Sequence, residues 1–204
     1  MPFLDDAAKA RIEEAVREAE TKTTGEFVTI IAAKSSDYLY FPTLAAAGLV
    51  LLLSGLVLLL PLDPRIDIFY AGQVAAFIVL ALAFRWPPLK MALVPRSLQE
   101  ERARRLAHQQ FLDLGLSSTK DRTAVLLFVS VSEHYVEIIA DRGVQADAKV
   151  WDAIVADFTA KVRAGQVADG FIAAIKACTA VMAEHHPWHP GDVNELPNRL
   201  IEIR

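Results

Sequence analysis

Three carboxylates stand close enough along the chain to share one ligand: Asp141, Asp147 and Asp152, in the stretch "ADRGVQADAKVWD", with Arg142 and Gly143 between the first two. Carboxylate oxygens suit hard divalent cations, and calcium takes about six to eight of them. The spacing lacks the dense ligand pattern of an EF-hand loop. Asp147, standing just ahead of a helical pattern, serves equally as a helix cap, with the other two aspartates solvated. Two readings stand side by side here. Either Asp141, Asp147 and Asp152 hold calcium or another divalent cation, or the segment is an interaction turn that presents Arg142 and Gly143 to a partner.

The remaining chemistry-bearing residues are few. Cys178 occupies an apolar helical position without a phosphate-cradling loop, so it reads as a small core residue and not as a nucleophile. As a lone cysteine it excludes an intrachain disulfide and a thiolate metal cluster, which suits a reducing compartment. His185, His186 and His189 cluster near Trp188, where zinc can be imagined, but Pro187 breaks the helix that would align the imidazoles. His108 and His134 stand alone and read as surface histidines. No serine elbow, P-loop or His-Glu-x-x-His helix occurs.

The elements that carry these residues fall into two classes. Residues 43–60, "TLAAAGLVLLLSGLVLLL", and Ile68–Phe84 are apolar runs, uncharged and separated by a short turn. At about 1.5 Å per residue, each approaches the ~30 Å hydrocarbon core of a bilayer. We read residues 42–86 as a transmembrane helical hairpin, since two uniformly apolar helices would need more protein than this chain has to enclose them. Lys34 precedes the first run and Arg85, Lys90, Arg96, Arg102, Arg104 and Arg105 follow the second, whereas the turn holds only Arg65 between Asp63 and Asp67. The positive-inside rule then puts both flanks in the cytoplasm, as an integral membrane protein with two spans and both termini cytoplasmic.

The flanks have mixed charge and amphipathic periods. The start, "MPFLDDAAKARIEEA", enters an acidic helix directly, so no signal peptide is expected and the hairpin serves as its own insertion signal. That helix, over residues 5–20, places Ala8, Ile12, Ala15, Val16 and Ala19 on one face, with Asp5 or Asp6 as cap. "EFVTIIAA", residues 26–33, reads as a strand buried on both faces. After the hairpin a helix with a Ser97-x-x-Glu100 capping box buries Ala103, Leu106, Ala107, Phe111 and Leu114, and Gly115 stops it. "TAVLLFVSV" and "YVEIIAD" read as paired strands around Ser132-Glu133-His134. Val150, Ile154, Val155, Phe158 and Val162 line the next helix; Phe171, Ile172, Ile175, Cys178, Thr179 and Met182 line the last.

Neither flank buries its strands alone, so residues 1–41 and 95–186 make one split α+β domain, with the hairpin in the connection after its first strand and residues 187–204 as a C-terminal tail. That crossover is right-handed if the strands it joins are parallel. The formal charge of −4 and the lack of a basic patch with interleaved aromatics give no reason to expect nucleic-acid binding, so no nucleic-acid partner is expected.

"AVLLFVSVSEHYVEIIADRGV", followed by "VWDAIVADFTAKVRAGQVADGFIAAIKA", resembles the TPM domain in the order of its strands, Arg-Gly turn and paired helices, and "TTGEFVTII" resembles the family's first strand. The tail "PGDVNELPNRLIEI" is similar to that of a bacterial membrane-protein subset, which implies the bacterial inner membrane. The resemblance implies a three-layer α/β/α sandwich and a role in maintaining membrane protein complexes. It also implies phosphatase activity in some members and calcium binding in some. Two departures stand out. Asp141-Arg142-Gly143 replaces the family's frequent Gly-Arg-Gly, and the cytoplasmic placement differs from the family's usual extracytoplasmic one. The expected function is a membrane-anchored module for the lipid bilayer and an unidentified membrane protein partner, with a metal-dependent phosphatase as the alternative.

Overall fold

Asp5 opens the first helix as its cap: its carboxylate accepts the Ala8 amide at 2.7 Å, and α1 runs Asp6–Glu20 with Ile12, Ala15, Val16 and Ala19 buried. This is from a computed structural model that describes residues 4–60, 65–190 and 194–203. The chain divides into two units, Met1–Ser35 with Glu101–Arg204, and Ser36–Glu100.

The first unit is built on a mixed four-stranded sheet in the order β3-β2-β1-β4. Its strands are β1 (Phe27–Ala32), β2 (Val125–Ser130), β3 (Tyr135–Ala140) and β4 (Ile201–Ile203). β1 pairs parallel with β2, Phe27 opposite Val125, and parallel with β4, Ile30 opposite Ile201; β2 and β3 form the antiparallel hairpin. Both central strands are buried at every position, which accounts for runs that are apolar without alternation.

Alternate residues face two layers. On one side Phe27, Ile31, Val125, Leu127 and Val129 pack with α1, α6 (Ala148–Arg163) and α7 (Val167–His185) through Ile12, Ile154, Phe158, Phe171 and Ile175. Phe158 and Phe171 meet edge to face, centroids 5.1 Å apart, an arrangement worth about 0.5–1.5 kcal/mol beyond the area buried. On the other side Val28, Ile30, Leu126 and Phe128 pack with Ala107, Phe111 and Leu116. The result is the expected α/β/α sandwich.

Several details differ from the sequence reading. The helix after the apolar runs, α5, spans Arg96–Asp113, so Ser97 lies inside it and forms no capping box. The Pro95 carbonyl instead receives the Leu98 and Gln99 amides, and Glu100 pairs with Arg96 at 2.9 Å. Val150 is exposed, and it is Trp151 beside it that packs against the core from the first turn of α6. The tail supplies β4, and Lys9 on α1 holds Glu202 at 3.0 Å.

The second unit contains α2 (Tyr40–Leu59), α3 (Ile66–Ala83) and α4 (Pro87–Leu93). α2 packs against α3 and α4. Both α2 and α3 are long and apolar enough to cross a membrane; none of α3 is buried. The short α4, which the sequence reading does not contain, begins with Pro87 and Pro88, residues suited to a first helical turn. Residues 61–64 of the connecting turn, Asp63 among them, and residues 191–193 of the tail lie outside the described residues.

Candidate functional site

The hairpin strand β3 delivers Asp141 to the edge of the sheet, where its amide donates to the Ala124 carbonyl at 2.9 Å. The side chain is buried. Its Oδ1 accepts the Arg142 amide at 2.8 Å, while Oδ2 has no hydrogen-bond partner among the described residues. The next residues close a tight turn, Val144 amide to Asp141 carbonyl at 3.0 Å, and Arg142 points outward, exposed.

Gly143 is required by close approach. Its amide donates to the Arg122 carbonyl at 2.8 Å, and a Cβ at this position would lie 2.5 Å from the carbonyl oxygens of both Asp121 and Arg122. Arg122 itself adopts a left-handed φ of 54° to present that carbonyl. His186 Nε2 stands 2.8 Å from the Gly143 carbonyl, and the His186 carbonyl accepts the Thr23 hydroxyl at 2.7 Å. The turn is therefore locked to the Thr23–Gly25 segment through His186, with Arg142 as its outward feature.

The other two aspartates have different duties. Asp147 Oδ1 accepts the Lys149 amide at 3.0 Å and caps α6, and Asp152 is exposed on that helix. Among the described residues no group of three or more His, Cys, Asp or Glu is placed to hold a metal ion. The Asp141, Asp147 and Asp152 set thus does not fit a calcium ion needing about six oxygens. What remains is one orphaned oxygen, Asp141 Oδ2. His185, His186 and His189 likewise form no ligand group: the His186 ring is turned to Gly143 and His189 to its own neighbour Pro190.

At the opposite end of the parallel strands lies a polar cluster that sequence reasoning missed. Glu133 is fully buried. It accepts the Ser130 hydroxyl at 2.5 Å and the Ser35 amide at 2.8 Å, and the Ser35 and Ser130 hydroxyls are 2.8 Å apart. Ser132 donates through its hydroxyl to the Ala33 carbonyl at 2.7 Å. Nothing local signals this, since an acidic residue in a three-residue turn reads as solvated. Next to it His134 adopts a φ of 48°.

Two further groups are set by their surroundings. Burial pushes the Cys178 thiol up to about 12, which removes it as a nucleophile near neutral pH. Glu137 on β3 gathers His108 at 3.4 Å, Arg104 at 3.8 Å and the Tyr135 hydroxyl at 3.1 Å, so His108 has a carboxylate neighbour where a lone surface residue was expected.

Comparison with known proteins agrees with this architecture. Residues 89–181 match the family described as the TPM domain, so the TPM resemblance drawn from the sequence holds over that stretch. The fold is similar to the NMR structure of BA42 protein from the psychrophilic bacterium Bizionia argentinensis, with a TM-score of 0.61 and 19% identity over 98% of this chain and 96% of that one. At that identity the likeness is one of fold. No curated protein matches the chain.

Proposed function

We propose that this chain is a membrane-anchored TPM-domain protein that acts by interaction, holding its α/β unit beside membrane protein complexes as a maintenance or assembly module. The single observation that supports the reading is the pair α2 and α3. Leu51, Leu52, Leu58, Leu59, Ile78, Val79 and Leu82 are all exposed on them, an apolar surface far larger than a soluble monomer tolerates. Lipid is the solvent that suits it.

The reading extends to two spans with both termini in the cytoplasm, on the asymmetry of Lys and Arg around the apolar runs. The exposed Arg142, on a turn fixed by Gly143 and His186, is the feature we assign to partner contact. A rigid turn loses little conformational freedom on binding.

Cross-linking in intact membranes followed by affinity purification tests the reading. We expect a reproducible set of integral membrane proteins, with capture reduced several-fold by Arg142→Glu while folding is unchanged. Recovery of the chain alone, together with turnover of phosphate esters that needs a divalent cation and is lost in Asp141→Asn, would favour the phosphatase instead.

A further inference from the structure

We propose that the α/β unit binds one long-chain fatty acid, its hydrocarbon chain in a cleft at the carboxyl ends of β1 and β2 and its carboxylate at Arg163. The cleft has a volume of about 580 Å³, inside the ~300–1,000 Å³ range of small-molecule sites. In open α/β sheets ligands bind outside the carboxyl ends of parallel strands. Its location follows that rule, between Ile31 and Val129 of the strands and Phe158 and Val162 of α6.

The interior demands an apolar occupant. The three hydroxyl-bearing residues of its lining are already engaged, Ser130 donating to Glu133 at 2.5 Å, Thr159 to the Val155 carbonyl at 2.7 Å and Tyr135 to Glu137 at 3.1 Å. A void whose polar groups are satisfied offers water few partners and stays poorly hydrated. Val131, at its rim, is 37% exposed, so apolar surface is open to an incoming chain.

The charge at the mouth selects the head group. No lining residue is acidic, and the lining includes Arg163 and His134. Arg163 is exposed at the last position of α6 and has no ion pair among the described residues. A guanidinium takes a carboxylate through two parallel hydrogen bonds. The amino end of α7 begins on the same rim at Val167 and adds partial positive charge. The site lies wholly within the α/β unit, so it stands whether or not the membrane reading does.

The test uses the full chain in phosphatidylcholine nanodiscs, irradiated with a diazirine-bearing palmitate and mapped by peptide mass spectrometry. We expect adducts within residues 129–136 and 158–167, displaced by unlabelled palmitate but not by methyl palmitate or lysophosphatidylcholine. Arg163→Glu should cut that labelling about tenfold, the loss of one charge-assisted pair, while Lys149→Glu leaves it intact. Thr159→Trp, which fills the cleft, should abolish it. Adducts confined to residues 40–59 and 66–83, equal displacement by the methyl ester, or undiminished labelling in Arg163→Glu would overturn the proposal. The Arg163→Glu arm decides even if the tryptophan variant does not fold, because residue 163 is exposed.

Discussion

The Ser35 amide donates to Oε1 of Glu133 at 2.8 Å, so the segment just past the end of β1 at Ala32 is tied to the β2–β3 turn 98 positions later. Ser35 is also where the α/β unit ends and the apolar unit begins. The buried carboxylate therefore fixes the point from which the chain departs. Glu133→Ala would leave the Ser130 hydroxyl and the Ser35 amide without this acceptor, and we expect a loss of about 2–4 kcal/mol. Urea unfolding of the purified protein reads this as a lowered midpoint; an unchanged midpoint would show the cluster to be incidental.

Gly143 and Arg142 should separate cleanly. Gly143→Ala forces a methyl group against two carbonyl oxygens, an overpacking cost of about 1–3 kcal/mol. Arg142→Ala, at an exposed position, should change stability by no more than about 0.5 kcal/mol. Thermal unfolding of both variants checks this, and equal effects would mean the turn is not held as described.

Cys178 gives a pH prediction. Its thiol, 9.0 when unperturbed, is raised to about 12 by burial. The fold holds the proton more tightly than the unfolded chain does, so this stabilisation is complete below about 9 and is lost as pH rises from there towards about 12. A thiol reagent at pH 8 should modify Cys178 only as fast as the protein opens. Rapid modification of the native protein would contradict the burial.

Much of the sandwich was legible because its signals are local. The apolar runs of β1 and β2 and the helical period of α1, α6 and α7 each report their own burial. The resemblance in "ADRGV" also located the turn that Gly143 and His186 hold. What was not legible depends on distant partners. Glu133 is buried by Ser35, far away in the chain. The strand β4 exists because β1 leaves an open edge for Ile201–Ile203. Ser97 is displaced from its expected capping role by Pro95, whose carbonyl takes the first helical amides.

The split domain makes its own prediction. Because β1 and β2 pair directly in parallel, the intervening unit is not needed to bring them together. Replacing residues 38–94 with a flexible Gly/Ser linker, whose closure entropy grows slowly with length, should yield a soluble protein with one cooperative unfolding transition. Aggregation at all concentrations would indicate that the apolar helices are part of the sandwich's own core.

The central claim is that α2 and α3 cross a bilayer with the α/β unit on the cytoplasmic side, and cysteine accessibility tests it most directly. Cys178 is buried and silent, so single Arg65→Cys and Lys120→Cys variants can be compared in the otherwise native chain. With a membrane-impermeant thiol reagent on intact spheroplasts, the account predicts modification of Arg65→Cys at once and of Lys120→Cys only after permeabilisation. Modification of both positions from outside, or of Lys120→Cys alone, would contradict it.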